Sequence, residues 1–156
     1  MPINVFRIDD RLVHGQVIEG WMRQLGLNRL IVASDSMPIS LKHLIRLSIL
    51  PDIRLDIVST SSVAGLLSKP EIFQDHIMLL VASPLDAYSV VVSGVKVNKI
   101  NIGGMHYAPG RRQLVKAVSV SDSDVEILKK LKEKGIELEI RLLPRDVPVN
   151  IMGMIE

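Results

Sequence analysis

A short segment near the amino terminus combines residue types that handle anions and protons. Two acids follow an apolar run, and His14 stands three residues after Arg11. An apolar run, a polar loop and then a helical pattern are typical of a buried parallel strand that delivers side chains to the edge of an α/β sheet. A helix that begins there presents unpaired backbone N–H groups to an anion. The segment therefore predicts a site that holds a negatively charged group beside His14.

The chemistry of His14 depends on the acids in front of it. Imidazole is the side chain most easily poised near neutral pH for nucleophilic or acid–base work. Asp9 and Asp10 have two interpretations: they hold the imidazole in one tautomer, or they cap the loop and pair with Arg11 while His14 packs. Their spacing does not favour a metal centre, because a second ligand at a typical metal-site spacing is missing from the pattern.

Further polar residues follow other predicted strands. Gly103 and Gly104 come directly after an apolar run, so we expect a glycine loop, with two interpretations: its N–H groups approach a phosphate, or it is a simple turn. The pair matches neither a dinucleotide-binding fingerprint nor a P-loop, and isolated glycine pairs are commonly simple turns. Residues at comparable strand ends form the predicted rim of the site, namely Ser34, Asp35, Ser83, Gly103, Gly104 and His106.

The elements that must position these residues alternate along the chain. Apolar runs predict strands at 3–8, 30–33, 53–58, 76–82, 99–102, 115–120 and 136–142. Helical periodicity lies between most of them, with a turn predicted at Gly110. The alternating charges of 136–142 indicate a half-exposed outer strand, and 144–156 a loop and a final turn. The pattern predicts an α/β fold with an open, mainly parallel sheet of six or seven strands, flanked by helices on both faces.

Composition excludes several classes of protein. The 156 residues suit a single domain over 1–156, and they contain no cysteine, which excludes disulfides and thiolate catalysis and is in keeping with a cytoplasmic protein. Net charge is only +2, with acids and bases interleaved, and aromatic residues are 3% of the chain. A nucleic-acid-binding surface is therefore not expected. No apolar run is long enough to span a bilayer.

Several ordered motifs resemble one bacterial protein family. The segment 7–17 resembles the signature around the active histidine of the enzyme IIB component of the mannose/fructose/sorbose family of the phosphoenolpyruvate-dependent sugar phosphotransferase system. Segments further along the chain resemble the same family, namely 101–105, 110–114, 116–119, 134–138 and 149–151. The resemblance extends over nearly the full length.

The resemblance implies a role for each residue of the first segment. His14 would accept a phosphoryl group from a phosphohistidine on a IIA protein or domain and pass it to a sugar bound by the membrane components IIC and IID. Arg11 would steady the phosphoryl oxygens, and Asp9 would organise the loop. The residues expected around the phosphoryl group are Arg7, Asp10, Gly15 and Gln16. No metal or organic cofactor is implied, and the expected location is the cytoplasm, at the inner face of the membrane through IIC and IID.

Two other functions remain compatible with the residues alone. One is a non-catalytic α/β domain that binds or senses an anion with the same loop and uses His14 as a ligand contact. Backbone N–H groups and arginine suffice for such a sensor, so it has no need of a histidine at this position. The other is a metal-free hydrolase with His14 as its base, which ranks last because the loop offers no separate nucleophile. The sequence chooses neither the sugar nor the imidazole nitrogen that would be phosphorylated.

Overall fold

The structure, a computed structural model, describes residues 3–156. The strands are β1 Ile3–Asp9, β2 Arg29–Ala33, β3 Arg54–Val58, β4 Ile77–Val81, β5 Lys99–Gly104, β6 Arg112–Val115, β7 Val118–Val120, β8 Glu137–Ile140 and β9 Val149–Asn150. The helices are α1 Gln16–Arg23, α2 Ile39–Ser48, α3 Val63–Leu67, α4 Pro84–Val92, α5 Asp122–Glu133 and α6 Met152–Ile155. The helix labelled α1 has the wider winding of a π-helix. Two 3₁₀ turns lie at Thr60–Ser62 and Pro70–Ile72. Across residues 3–156, no helix combines the length and the apolar character that a membrane span requires.

Seven strands form one sheet in the order β3-β2-β4-β1-β5-β8-β9. Neighbouring strands run parallel, except that β9 runs antiparallel to β8. Successive side chains of β4 enter two different apolar clusters, because side chains alternate between the faces of a sheet. Leu79 packs in the cluster with α3, α4 and α5, and Leu80 packs in the cluster with α1 and α2. The predicted parallel sheet with helices on both faces is confirmed.

The strand order creates a crevice at the end of β1. The chain leaves the adjacent strands β1 and β5 toward opposite sides of the sheet. From β1 it passes through α1 to β2 on one side, and from β5 it passes through α5 to β8 on the other. Ligands of open α/β sheets bind beyond the carboxyl ends of strands at such a reversal. The loop 10–15 with His14 begins at this point of the sheet.

The glycine pair is a strand end and not a loop. Gly103 and Gly104 are the last residues of β5, both are buried, and Gly104 lies in register with Asp9 of β1. A Cβ on Gly103 would overlap the Arg7 guanidinium, and a Cβ on Gly104 would lie 2.7 Å from Asp9 Oδ1. The predicted glycine loop is therefore wrong. The two glycines make room for charged side chains of the neighbouring strand.

The predicted turn at Gly110 is present, but the predicted strand 115–120 after it is interrupted by a second turn. The strands β6 and β7 pair antiparallel, and the hairpin turn between them lies at 116–117. Gly110 has a φ of +88° and lies in the turn that precedes β6. The residues of the hairpin turn are Lys116 and Ala117, which are not among the residue types that mark turns in a sequence.

The carboxyl-terminal part of the sheet also differs from expectation. β8 is not the half-exposed outer strand, because β9 covers its edge, and Glu139 is only 4% exposed. Glu139 alternates with apolar residues like a solvated side chain, yet it pairs with Arg141 at 3.2 Å and Lys99 at 3.8 Å. The tail contains β9 and α6 in addition to the predicted loop, with Ile151 fully buried.

Candidate functional site

A strained turn carries the chain from β1 to His14. Leu12 has a φ of 55°, a left-handed conformation that costs a residue with a side chain about 1–2 kcal/mol. Its backbone N–H donates to the carbonyl of Asp9 at 2.9 Å, and its side chain is buried in the apolar cluster under α1 and α2. These contacts stabilise the turn, and the turn brings His14 back over the end of β1.

His14 is held in one tautomer by two hydrogen bonds. Its Nε2 lies 2.9 Å from Asp9 Oδ2, and the backbone N–H of Gln16 points at Nδ1 from 3.3 Å. A carboxylate only accepts hydrogen bonds and a backbone N–H only donates, so the neutral imidazole carries its proton on Nε2 and its lone pair on Nδ1. The side chain is 19% exposed. The arrangement leaves Nδ1 unprotonated on a partly exposed ring, and an unprotonated imidazole nitrogen can act as a nucleophile.

Asp9 accepts hydrogen bonds from three other residues of the site. Its side chain is fully buried, and it accepts hydrogen bonds from Arg7, His14 and both the backbone and the side chain of Arg11. Burial by itself would raise the pKa of Asp9, but the hydrogen bonds from His14 and Arg11 and the charge of Arg7 outweigh it and lower the pKa to about 2. Asp9 therefore stays a carboxylate at neutral pH.

Arg11 offers an exposed cation beside the histidine. Its Nε and Nη2 each lie 3.3 Å from an oxygen of Asp9, and Nη2 also donates to Gln16 Oε1 at 3.3 Å. Half of the side chain remains exposed. Guanidinium presents five donors, so Arg11 can bind an anion at the surface while it remains attached to Asp9.

Arg7 lies beneath the loop and not at the surface. It is fully buried, and its Nη1 donates to Asn101 Oδ1 and to the carbonyl of Arg141. Its Cζ lies 4.9 Å from the centre of the Trp21 ring. Burial lowers the pKa of Arg7 to about 10 while the charge of Asp9 opposes that shift, so the side chain is charged at neutral pH. The predicted contact between Arg7 and a phosphoryl group is wrong for this arrangement, because the guanidinium has no exposed surface.

Asp10 binds His106 and does not face a bound anion. Its Oδ2 accepts from the backbone N–H of His106 at 2.8 Å and is also bonded to Nδ1 of that ring. A carboxylate repels phosphoryl oxygens, so the expected role of Asp10 as a direct ligand is not supported by this geometry. The pair ties the loop after β1 to the end of β5. It also brings His106, whose side chain is 74% exposed, close to the loop after β1.

Gly15 and Gln16 form the start of α1. Gly15 is exposed, and no heavy atom lies within 4 Å of the position that a Cβ would occupy. The carbonyl of His14 accepts the N–H groups of Val17 and Ile18 at 3.0 and 3.1 Å. The N–H of Gly15 lies at the open end of this helix, where an anion is favoured. The N–H of Gln16 points at His14 Nδ1 and becomes available to an anion only when it leaves that nitrogen.

The remaining rim residues occupy the same edge of the sheet but organise their own loops. Asp35 accepts from Thr60 N–H at 2.8 Å, and Ser83 caps α4 by accepting from Asp86 N–H at 3.2 Å. Ser34 Oγ accepts from the backbone N–H two residues later. Burial and the nearby charge of Asp35 raise the pKa of Asp86, against the hydrogen bond from Ser83. No hydrogen bond joins these three predicted residues to the His14 loop within residues 3–156.

Three groups beneath the loop were not predicted from the sequence. Asn101 and Trp21 contact Arg7, and the carbonyl of Leu142 accepts from both Arg7 Nη2 at 3.3 Å and Trp21 Nε1 at 2.8 Å. Asn101 had one available signal, since it is a polar residue inside an apolar strand. The Leu142 carbonyl had none, because its contact depends on how the chain folds after β8. Among residues 3–156, no cluster of three or more histidines and acids could hold a metal ion.

Comparisons with known proteins give one consistent family. The model of the PTS system sorbose subfamily IIB component matches residues 3–156. The mannose-specific EIIAB component of Escherichia coli is 36% identical over 99% of this chain, and the chain spans only 49% of that relative. The fructose-specific EIIB component of Bacillus subtilis is also 36% identical, with 99% of this chain and 96% of the relative covered. The crystal structure of the IIBSor domain of the sorbose permease from Klebsiella pneumoniae superposes with a TM-score of 0.91, at 32% identity over 99% of this chain and 96% of that one.

Proposed function

The chain belongs to the sorbose-subfamily IIB components of the phosphotransferase system, and we propose that it carries a phosphoryl group on Nδ1 of His14. The group comes from a phosphohistidine on a IIA protein or domain and goes to a sugar of the mannose, fructose or sorbose class. The hydrogen bond between His14 and Asp9 is the observation that carries this proposal, because it keeps the proton on Nε2 and leaves Nδ1 unprotonated. The Nδ1 lone pair can attack phosphorus once the N–H of Gln16, which lies 3.3 Å away, releases it.

The first step exchanges one N–P bond for another. His14 Nδ1 forms a bond to phosphorus, the bond to the donor nitrogen breaks, and its electron pair returns to the donor imidazole. The His14 ring then bears a positive charge, since Nε2 keeps its proton while Nδ1 carries the phosphoryl group. Asp9 stands 2.9 Å from Nε2 and stabilises that charge in a buried position.

The second step returns His14 to its starting state. A sugar hydroxyl oxygen forms the new bond to phosphorus, and its proton passes to a base where the sugar is bound. The electron pair of the broken N–P bond returns to Nδ1. The ring is then again the neutral tautomer with its proton on Nε2, because Asp9 has held that proton in place. Arg11 and the N–H groups of Gly15 and Gln16 bind the phosphoryl oxygens in both directions, so transfer needs positioning and charge stabilisation from this chain.

The partners follow from this chemistry and from the family. A IIA donor and sugar-binding membrane components of the IIC and IID type are the proposed partners, and no metal or organic cofactor has a role in the proposed steps. The half-exposed Arg11 and the partly accessible His14 suit a site that must meet another protein twice in each cycle. We infer that the chain works in the cytoplasm at the inner face of the membrane, docked on those components.

Intact-mass analysis tests the acceptor residue. Wild type, His14→Ala and His43→Ala are each incubated with phosphoenolpyruvate, the general phosphotransferase proteins and a mannose-family IIA. His43 is an exposed histidine of α2 and serves as the matched control. We expect one acid-labile phosphoryl adduct on wild type and on His43→Ala and none on His14→Ala. An adduct on His14→Ala would place the acceptor elsewhere and overturn the proposal.

The same experiment distinguishes the phosphoryl-carrier function from that of a non-catalytic anion-binding domain. A non-catalytic domain would take no phosphoryl group from a phosphorylated IIA, and His14→Ala would keep much of its affinity for inorganic phosphate through Arg11 and the start of α1. The fixed tautomer of His14 favours the carrier, because anion binding alone does not require an unprotonated Nδ1.

A further inference from the structure

Three buried polar side chains lie side by side beneath the His14 loop. Arg7 and Asp9 are two residues apart on β1 and share one face of the sheet, and Asn101 of β5 lies in register with Arg7. Arg7 and Asp9 are fully buried, and Asn101 is 4% exposed. Charges in such a place must be paired and hydrogen-bonded, so the orientation of each group depends on the others.

The amide of Asn101 has a fixed orientation. Its Oδ1 accepts from Arg7 Nη1, and its Nδ2 donates to the carbonyl of Arg141 at 3.0 Å. That carbonyl also accepts from Arg7 Nη1 at 2.9 Å. Asn101 therefore links the guanidinium to the chain that follows β8, and a flipped amide would break both of its bonds.

Because the acceptor at position 101 is neutral, Asp9 is the group that neutralises the charge of Arg7. Arg7 Nη1 is occupied by amide and carbonyl oxygens, and Nη2 reaches Asp9 Oδ2 at 3.3 Å. The same Oδ2 accepts from His14 Nε2. A carboxylate at position 101 would compete with Asp9 for the guanidinium, and an apolar side chain would leave Nη1 without its side-chain acceptor.

The space around the guanidinium permits little movement. Gly103 leaves room for it on the β5 side, and the Trp21 ring lies 4.9 Å away. Trp21 is in turn hydrogen-bonded to the Leu142 carbonyl, which Arg7 also contacts. The position of Arg7 is thus set by β5, α1 and the segment after β8 together.

We propose that Asn101 is a positioning residue for phosphoryl transfer, acting through Arg7 on Asp9 and hence on the tautomer and orientation of His14. It touches neither the phosphoryl group nor His14. Removal of its amide frees Arg7 to move into the vacated space, so that Asp9 Oδ2 loses a fixed donor and the hydrogen bond to His14 loosens. The kinetic part of this inference rests on the proposed function, and the part that concerns the His14–Asp9 bond does not.

The test compares Asn101→Ala and Asn101→Asp with the control Asn28→Ala. Asn28 also uses its Oδ1 as an acceptor, in its case for the backbone N–H of His76 at 2.8 Å, at the opposite edge of the sheet. Single-turnover phosphorylation by a phosphorylated IIA separates two effects. A merely structural role lowers the amplitude, because part of the sample is unfolded, whereas a positioning role lowers the rate constant at full amplitude. We expect the rate constant to fall about tenfold or more in both Asn101 variants with an unchanged half-saturating IIA concentration, and to stay within twofold in Asn28→Ala.

An NMR measurement on the unphosphorylated protein provides the second readout. In ¹⁵N-labelled wild type, the Nε2–H proton of His14 should resonate downfield because of its bond to Asp9. We expect this resonance to move or to be lost in both Asn101 variants and to remain in Asn28→Ala. An unmoved resonance, or a rate constant within twofold of wild type at full amplitude, would overturn the inference. If wild type accepts no phosphoryl group, the proposed function fails and the resonance alone decides the role of Asn101. If Asn101→Asp does not fold, Asn101→Ala decides it.

Discussion

At the scale of single residues, the site depends on one buried carboxylate with several donors. Asp9 binds His14, Arg11 and Arg7 at once, so it sets the tautomer of His14, anchors the exposed cation and neutralises the buried one. The sequence placed Asp9, Arg11 and His14 in one loop, which followed from the apolar run before them. The sequence did not show that Arg7 is buried while Arg11 is exposed. The burial of a residue depends on which strand and helix cover it, and not on its type alone.

Asp9 should make the fold sensitive to acid. Its pKa is lowered from 3.8 to about 2 in the folded chain, so its contribution to stability is present above pH 4 and is lost as the pH falls toward 2. The loss should amount to about 2 kcal/mol of unfolding free energy. Urea unfolding followed by the fluorescence of Trp21, which is buried beside Arg7, measures it between pH 2 and pH 6.

Two variants give the controls for this pH dependence. Asp9→Asn should be less stable at neutral pH and should lose less stability than wild type between pH 4 and pH 2. Asp52→Asn, at an exposed turn position, should follow the wild-type profile. A profile of Asp9→Asn as steep as that of wild type would show that Asp9 is not the group responsible.

Arg11 should govern the rate of transfer more than stability. We expect Arg11→Ala to lower the rate constant for phosphoryl transfer from IIA by about a hundredfold, because a donor to the phosphoryl oxygens is removed. Arg11→Lys should recover only part of that loss, since an ammonium cannot contact Asp9 and the phosphoryl oxygens in the same geometry. Single-turnover phosphorylation measures both, with the exposed α2 residue Arg46→Ala as control. An Arg11→Ala rate within twofold of wild type would contradict the role given to this side chain.

At the scale of elements, the site is a strand end, a strained turn and a helix start. The sequence predicted a strand end, a polar loop and a helix start, because an apolar run, polar residues and helical periodicity follow each other within 25 residues. It did not predict the left-handed conformation of Leu12. It misassigned Gly103 and Gly104, since a glycine pair after an apolar run has the same pattern whether it forms a turn or continues the strand. The distinction lies in the neighbouring strand, whose Arg7 and Asp9 occupy the space that side chains would fill.

Gly103→Ala tests the close approach of β1 and β5. The new Cβ would overlap a guanidinium that is hydrogen-bonded on several sides, so we expect unfolding free energy to fall by about 1–3 kcal/mol. Gly65→Ala is the matched control in α3, because its Cβ meets no atom within 4 Å and alanine favours a helix by up to about 1 kcal/mol. Urea unfolding at neutral pH measures both. Equal stability of Gly103→Ala and wild type would contradict the packing described here.

At the scale of the whole molecule, one sheet separates two apolar clusters. Because its strands are mainly parallel, the loops that follow them lie at the same edge, at the carboxyl ends of the strands. Strand direction and the helices on both faces were predictable, because alternation along the chain leaves few arrangements for a parallel sheet. The sheet has seven strands, within the predicted range, but β9 stands in place of the predicted strand 115–120, which belongs to a separate hairpin. The short β9, the burial of Glu139 and the hairpin turn at 116–117 were not predictable. Each depends on a partner distant in sequence, as Glu139 does on Lys99 and Arg141.

The tail should contribute to global stability although its sequence reads as a loop. Ile151 is fully buried in the cluster with α5, and its N–H donates to the carbonyl of Leu138 at 3.2 Å. Ile151→Ala should lower the unfolding free energy by about 2–5 kcal/mol. Met154→Ala, three residues further on and 37% exposed, should change it by no more than about 0.5 kcal/mol. Thermal unfolding of the two variants gives the comparison, and equal melting temperatures would mean that the tail is not part of the folded core.

The central claim is that Nδ1 of His14 carries the phosphoryl group, and heteronuclear NMR tests it most directly. The ¹⁵N-labelled chain is phosphorylated through IIA, and the coupling between ³¹P and the ring nitrogens is read for each of the four histidines. The structure predicts coupling to Nδ1 of His14, with Nε2 still protonated and bonded to Asp9. Coupling to Nε2 of His14, or to any nitrogen of another histidine, would contradict the account.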